Sequence, residues 1–295
     1  MANISTKSYW ALSALSVSNL RALPDHTSEL VSQVMMGTPL KVMEFADKFY
    51  RVETPEHYMG WMDAKGLQLL REQEMMAWKR SERYFYNTIS GCAFQTADPK
   101  SAIVSDLVLG DVFEGEPDSK GFLKMRFPDG RIGYAGRDEC ISFQDWISME
   151  PDVGSVLSFA LQMLGFPYLW GGASSKASDC SGFVKLVYYT QGIILARDSS
   201  QQAQFGEPVD ISRLDNLQPG DLLFFGSSEQ RIHHVGLYLG KGDFIHSSGR
   251  VQIGSIVPGD PKHDPARNPV AARRIIRSTD TEGIVRVRGH GWYGG

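Results

Sequence analysis

Cysteine is scarce in this chain, and its placement argues against two of its common uses. Cys92, Cys140 and Cys180 are the three cysteines in 295 residues. Their number is odd and none belongs to a CxxC pair, which disfavours both a disulfide framework and a structural zinc site. A chemical role for cysteine must therefore come from the surroundings of a single thiol.

Long apolar runs and an excess of positive charge are also missing. No apolar run approaches the roughly 20 residues that span a bilayer. The 30 Lys and Arg residues against 34 Asp and Glu leave a net charge of -4, whereas nucleic-acid-binding proteins are normally basic. We therefore expect no membrane span and no nucleic-acid partner. The 42% of hydrophobic residues can form sizeable cores, and the length suits two or three domains.

A secretion signal is not evident at the N-terminus. Serines interrupt the apolar stretch in MANISTKSYWALSALSVSNLRALP, and the same segment fits the first strand of a repeat. We expect a cytoplasmic protein. The alternative is the periplasm or cell envelope, if a signal peptide was trimmed.

Two segments of the N-terminal half repeat each other. The offset is 73 residues in every matching pair, as from Gly37 to Gly110. The other pairs are Val31-Ser32 with Val104-Ser105, Phe49 with Phe122, Pro55 with Pro128, Gly60 with Gly133 and Trp61 with Tyr134. Short β-branched and aromatic runs between Pro, Gly and Asp turns predict a small barrel for each copy. The charged segment REQEMMAWKRSERYF is a candidate connecting helix.

The last region has a different pattern. VGSVLSFALQMLG carries apolar residues at helical spacing and ends in Gly165. PGDLLFF, HHVGLYLG and GDFIHSSG follow as predicted strands with tight turns. Helices followed by a small antiparallel sheet predict an α+β domain. The predicted domains are residues 1–72, residues 73–148 including the connecting helix, and residues 149–295.

Cys180 begins a predicted helix. Asp179 or Ser178 can cap this helix, whose apolar face continues to Gly192. A thiol at a helix N-terminus feels the positive end of the macrodipole, so we expect a lowered pKa and a reactive thiolate. The alternative is a buried structural cysteine, which is how we interpret Cys92 and Cys140.

A reactive cysteine needs a base, and the best candidates lie on a predicted hairpin. A turn at Gly240-Lys241-Gly242 pairs residue 237 with 245, 238 with 244 and 239 with 243. His234 and His246 then share one face, about 7 Å apart at the backbone, and His233 points to the other. His234 is the better base and His246 the better orienting residue. Two packing histidines, or a metal site with Cys180, are the alternatives, although HExxH spacing is absent.

These motifs resemble those of NlpC/P60 cysteine peptidases. The resemblance rests on PYLWGG, DCSGFVKLVY, HHVGLYLG and FIHSSG and covers about residues 151–295. The repeats resemble bacterial SH3 (SH3b) domains. Two SH3b domains before such a domain resemble the γ-D-glutamyl-L-diamino-acid endopeptidases of the dipeptidyl-peptidase VI (YkfC-like) type. The implied fold is multi-domain, with two small all-β SH3-like barrels followed by an α+β papain-like catalytic domain.

The resemblance also implies roles for individual residues. Cys180 is the nucleophile, His234 the base and His246 the third member. Tyr168, with the backbone N–H of Cys180, binds the oxyanion. The residues implied in substrate binding are Asp179, Ser181, Asp198 and Ser199. No metal or organic cofactor is expected.

The implied substrate is a murein peptide, L-Ala-γ-D-Glu-diamino acid, in which the diamino acid is diaminopimelate or lysine. In this family the first SH3b domain closes the groove and selects a free N-terminal L-Ala. Tyr58, which stands where the second repeat has Arg131, and Glu29 are the candidates for binding that amine. We expect a monomer. The alternatives are a hydrolase of intact wall with wall-binding SH3b domains, and acyl-transfer or lipid amidase chemistry.

Overall fold

The computed structural model describes residues 9–294, and the chain folds as two units. The first unit is Met1–Ser148 together with His290–Gly295, and the second is Met149–Gly289. Within the described residues, no helix is long and apolar enough to cross a bilayer.

The first unit contains two seven-stranded antiparallel sheets. The strands of the first sheet are β1 Tyr9–Ser13, β2 Val17–Arg21, β3 Leu30–Met35, β4 Pro39–Ala46, β5 Phe49–Glu53, β6 Met59–Asp63 and β7 Leu67–Leu70. Those of the second are β8 Arg83–Tyr86, β9 Ser90–Phe94, β10 Ile103–Val108, β11 Val112–Pro117, β12 Phe122–Arg126, β13 Ile132–Gly136 and β14 Cys140–Ser142. Helix α1, Glu72–Arg80, connects the sheets, and α2, Phe143–Ser148, follows the second.

The two sheets have the same topology. Their strand orders are β3-β2-β6-β5-β4-β1-β7 and β10-β9-β13-β12-β11-β8-β14, so each strand of the second takes the place of the strand seven earlier. The sequence offset reappears in the strands, because β3 begins at residue 30 and β10 at residue 103. Gly37 and Gly110 adopt positive φ angles of 73° and 99°, which glycine tolerates without strain.

The C-terminal tail packs with the first unit, which differs from the predicted boundary of residues 149–295. His290 Nε2 lies 3.0 Å from the carbonyl oxygen of Pro55. The Trp292 ring meets the Trp10 ring edge to face, with centroids 5.3 Å apart. The aromatic area buried against β1 explains why the tail packs with the first unit and not with the domain that precedes it in sequence.

The second unit is an α+β domain, as predicted. Its helices are α3 Val153–Gln162, α4 Cys180–Tyr189 and α5 Ser199–Gln202. Its strands are β15 Ala173–Ser174, β16 Ala177–Ser178, β17 Ile193–Leu195, β18 Glu207–Pro208, β19 Leu222–Gly226, β20 Ile232–Gly240, β21 Asp243–Ser248, β22 Arg250–Ser255, β23 Pro269–Arg274 and β24 Ile284–Arg286. The main sheet has the order β18-β23-β19-β20-β21-β22, and β17 pairs with β24.

Helix α4 is the buried centre of the second unit. Nine of its ten residues are buried, all except Lys185. The helix packs against β20, β17 and α3. A Cβ atom on Gly182 would lie 2.1 Å from the carbonyl oxygen of Gly172, so only glycine allows this close approach. The approach holds the start of α4 against the loop before it.

Candidate active site

Cys180 is the first residue of α4, and its side chain is buried. Asp179 caps the helix, since its Oδ1 accepts a hydrogen bond of 2.7 Å from the Gly182 N–H. The Cys180 sulfur receives the backbone N–H of Val235, the residue that follows His234 on β20. The start of α4 therefore contacts β20, the strand that carries the predicted base His234.

The expectation of a lowered thiol pKa is wrong for the free protein. Burial, reinforced by the Asp179 charge, raises the pKa of Cys180 to about 11. The N–H groups of Val235 and Ser181 and the charge of Arg197 act in the opposite direction but do not prevail. A buried thiolate loses more hydration than these dipoles replace. The resting side chain is therefore a neutral thiol.

His234 and His246 form a pair across the β20–β21 hairpin. The Nε2 atom of His234 lies 2.8 Å from Nδ1 of His246, and their rings are nearly perpendicular at 82°. Leu237 pairs with Ile245 and Tyr238 with Phe244, as predicted. The predicted pairing of residue 239 with 243 is wrong, because an irregularity after Tyr238 pairs Gly240 with Asp243 instead. This irregularity lies beyond the histidines and leaves their shared face intact.

Burial keeps both rings of this pair neutral. It lowers the pKa of His234, and the charges of His246 and Arg267 lower it further. Burial and then the Arg267 charge lower the pKa of His246. Arg267 Nη1 lies 3.1 Å from His246 Nδ1. His233, by contrast, is exposed.

Tyr168 is placed beside the start of α4 by its backbone. It forms a parallel bridge with Ser178, and Tyr168 N–H donates to the Gly249 carbonyl. Burial raises the pKa of Tyr168 to about 12, with further contributions from Cys180 and Asp179. Its hydroxyl therefore remains a hydrogen-bond donor near the sulfur at neutral pH.

The Asp179 carboxylate is engaged by the protein itself. Besides Gly182, it accepts from the Gly171 N–H at 3.1 Å. Both Nη atoms of Arg197 donate to it, at 3.2 Å and 2.5 Å. Arg197 Nη1 also donates to Ser181 Oγ at 2.9 Å. These contacts are those of a buried cap and ion pair that hold the segment around Cys180.

Arg197 is a site residue that the motif analysis missed. It is 2% exposed, and a buried arginine requires an acidic partner. It opens RDSSQQ, the segment from which Asp198 and Ser199 were chosen, but no sequence pattern signals its pairing with Asp179. Asp198 and Ser199 lie at the start of α5, which packs against α4 and β20.

The two residues predicted from the first repeat lie in the first unit. Glu29 precedes β3 and is exposed, and Tyr58 lies between β5 and β6 and is half-buried. Their contact with substrate stays a prediction. Among residues 9–294, no group of three or more His, Cys, Asp or Glu side chains is arranged to hold a metal ion.

Comparison with known families agrees with this geometry. Residues 165–264 match the model of the NlpC/P60 family, and residues 20–67 match that of the bacterial dipeptidyl-peptidase SH3 domain. The chain therefore contains an NlpC/P60 domain and a bacterial SH3 domain. The NlpC/P60 match contains Cys180, His234 and His246. The SH3 match contains strands β3 to β6 of the first sheet. That the second sheet is also an SH3 domain stays a prediction, which its identical strand order supports.

Two curated relatives match most of this chain. The γ-D-glutamyl-L-lysine dipeptidyl-peptidase of Bacillus cereus is 29% identical over 79% of this chain and 72% of the relative. Dipeptidyl-peptidase 6 of Lysinibacillus sphaericus is 27% identical over 79% of this chain and 85% of the relative. The crystal structure of an NlpC/P60 family protein from Bacillus cereus covers 90% of this chain and 99% of its own, with a TM-score of 0.77 and 21% identity. That likeness confirms the fold.

Proposed function

We propose that this cysteine peptidase hydrolyses the amide bond between γ-D-Glu and a diamino acid in murein peptides that begin with free L-Ala. The observation that carries the proposal is the hydrogen-bonded pair of His234 and His246 on β20 and β21. The same strand β20 contacts the sulfur of Cys180, at the N-terminus of a buried helix, through the N–H of Val235. The name of the Bacillus cereus relative, γ-D-glutamyl-L-lysine dipeptidyl-peptidase, supports the choice of substrate.

In the proposed reaction, the neutral thiol is deprotonated as it attacks. The Cys180 sulfur forms a bond to the γ-carbonyl carbon of D-Glu while its proton passes to His234. The carbonyl oxygen gains negative charge and receives hydrogen bonds from the Cys180 N–H and the Tyr168 hydroxyl. His246 stabilises the His234 imidazolium through the contact between their ring nitrogens.

Collapse of this intermediate breaks the amide bond. His234 gives its proton to the leaving amine of the diamino acid, which leaves a thioester on Cys180. His234 then takes a proton from water as the water oxygen attacks the thioester. The products are L-Ala-D-Glu with a free γ-carboxyl group, the diamino acid, and the original thiol.

We further propose that Asp179 and Arg197 position the nucleophile instead of carrying charge to the substrate. The carboxylate already accepts from Gly171, Gly182 and Arg197. Ser181, Asp198 and Ser199 remain the candidates for contact with D-Glu. Glu29 and Tyr58 are the candidates for the amine of L-Ala, because a buried cation needs an acidic or polar partner.

The test is turnover of synthetic L-Ala-γ-D-Glu-L-Lys and its diaminopimelate analogue, followed by mass spectrometry of released L-Ala-D-Glu. We expect cleavage of the γ-D-Glu bond alone. Intact sacculi, an N-acyl lipid amide and an acceptor amine serve as parallel substrates. Cleavage of sacculi without cleavage of the free tripeptides would favour a wall hydrolase. Product formed only with the lipid or the acceptor amine would favour the amidase or acyl-transfer alternative.

A further inference from the structure

A polar cavity of about 220 Å³ lies beside His246 in the second unit. Strands β21 and β22 form one side of it. The other side is formed by the loop that connects β22 to β23. The side chains that decide its character are His246, Gln252, Lys262, Asp264 and Arg267.

Two of the charged residues in this cavity are already engaged. Lys262 Nζ lies 2.6 Å from each carboxylate oxygen of Asp243. Asp264 shapes the loop, since its Oδ1 accepts from the Ala266 N–H at 3.0 Å and its carbonyl accepts from the Arg267 N–H. Neither residue requires a ligand.

Arg267 is different. Its guanidinium contacts the His246 ring, with Nη1 3.1 Å from Nδ1 and 3.4 Å from Nε2. Its Nη2 lies 3.4 Å from Ser248 Oγ. Across the part of the chain that the structure describes, no carboxylate forms an ion pair with it. A half-buried cation next to a buried imidazole is costly, and a carboxylate is the partner whose geometry matches the guanidinium fork.

The cavity borders His246, the residue that contacts the proposed base His234. In the proposed function, on which this inference rests, His234 protonates the amine of the diamino acid. The guanidinium of Arg267 contacts His246, and His246 in turn contacts His234. A diamino acid held by its amine at His234 can therefore direct a carboxylate towards Arg267.

We propose that this cavity binds a carboxylate of the diamino acid, with the Arg267 guanidinium as its partner. Two sources share this chemistry. One is the α-carboxylate that terminates a lysine or diaminopimelate tripeptide. The other is the second carboxylate of diaminopimelate, which lysine lacks. In the second case Arg267 selects between the two diamino acids.

Three tripeptides separate these sources: L-Ala-γ-D-Glu-L-Lys, the same peptide with its lysine as the α-carboxamide, and the diaminopimelate analogue. The intact protein is compared with Arg267→Gln, with Arg267→Lys, and with Arg213→Gln as a control at an exposed arginine.

If the α-carboxylate is bound, kcat/KM falls about 10- to 100-fold on the carboxamide. If the second carboxylate is bound, diaminopimelate is preferred over lysine by a similar factor. Either preference disappears in Arg267→Gln, survives in part in Arg267→Lys, and is unchanged in Arg213→Gln.

The inference is overturned if Arg267→Gln lowers kcat/KM by the same factor on all three peptides, since Arg267 then acts only on His246. Binding of the three peptides to Cys180→Ala, with and without Arg267→Gln, is measured by calorimetry and needs no turnover. A carboxylate preference in binding without turnover by the wild type contradicts the proposed function but supports the cavity. Turnover without any carboxylate preference supports the proposed function but contradicts the proposal for the cavity.

Discussion

The Nε2 atom of His234 lies 2.8 Å from Nδ1 of His246, although the two residues are 12 positions apart. The hairpin that joins β20 to β21 creates this contact, and Ser247 Oγ, donating to the Ser178 carbonyl at 2.7 Å, ties β21 to the segment before Cys180. The contact between His234 and His246 thus depends on the register of β20 against β21.

Cys180→Ala should abolish hydrolysis and leave the fold intact. The side chain is small and buried, and removal of the sulfur takes away the proposed nucleophile without introducing a polar group. Release of L-Ala-D-Glu and the circular dichroism melting curve are the measurements. Cys92→Ala is the matched control, because this cysteine lies in β9 of the first unit. Retained activity in a well-folded Cys180→Ala protein would rule out the mechanism.

His234→Ala should lower kcat by a factor of at least about 100, whereas His233→Ala should be nearly silent. His234 contacts His246, and the neighbouring His233 is exposed. Steady-state kinetics on the free tripeptide decide between them. Equal losses of kcat in both variants would contradict the assignment of the base to His234.

Acid should destabilise the second unit as the pH falls below 6.5. The pKa of His234 and of His246 is depressed from 6.5 in the folded chain, chiefly by burial. The unfolded chain therefore binds more protons below 6.5, and stability falls with decreasing pH until the folded pKa values are reached. The contribution per histidine is up to about 1.4 kcal/mol for each pH unit.

Melting temperatures between pH 7.5 and 5 measure this effect. The paired change His234→Gln and His246→Gln should flatten the pH dependence, because glutamine does not titrate. His26→Gln serves as the control, since this exposed histidine lies in the first unit. An unchanged slope in the paired variant would contradict the assignment of the acid sensitivity to these rings.

Arg197→Met should destabilise the second unit by about 3–5 kcal/mol, because it leaves the buried Asp179 carboxylate without its cation. The double variant Arg197→Met with Asp179→Asn should be less destabilised, since no uncompensated charge remains. Urea denaturation of wild type, both single variants and the double variant measures the coupling. Additive losses would show that the ion pair does not act as a unit.

Local patterns in the sequence predicted the parts of this fold that depend on near neighbours. The offset of 73 residues anticipated two sheets of one topology, and the Gly240-Lys241-Gly242 turn placed His234 and His246 together. Burial depends on the whole chain, and for that reason the thiol pKa was predicted in the wrong direction. Arg197 and Arg267 were missed because their partners are distant in sequence.

Glu29→Gln and Tyr58→Ala should weaken selection for a free N-terminal amine. The two repeats differ where Tyr58 corresponds to Arg131, whose Nε donates to Asp129 and whose Nη1 donates to the Val104 carbonyl. Arg131 thus has a structural role in the second copy, and Tyr58 is the residue that distinguishes the first copy at this position.

A free α-amine is a cation, and a site that binds it with a polar partner rejects the acetylated analogue by as much as about 10⁴-fold. The ratio of kcat/KM on L-Ala-γ-D-Glu-L-Lys to that on its N-acetyl form should therefore be large in the wild type. It should shrink in both variants, by more than any fall in melting temperature explains, and should hold in Glu116→Gln, which removes an exposed carboxylate from the second copy. A wild-type protein that cleaves both peptides equally well has no amine selection, and its SH3 domain would then serve as a wall-binding module.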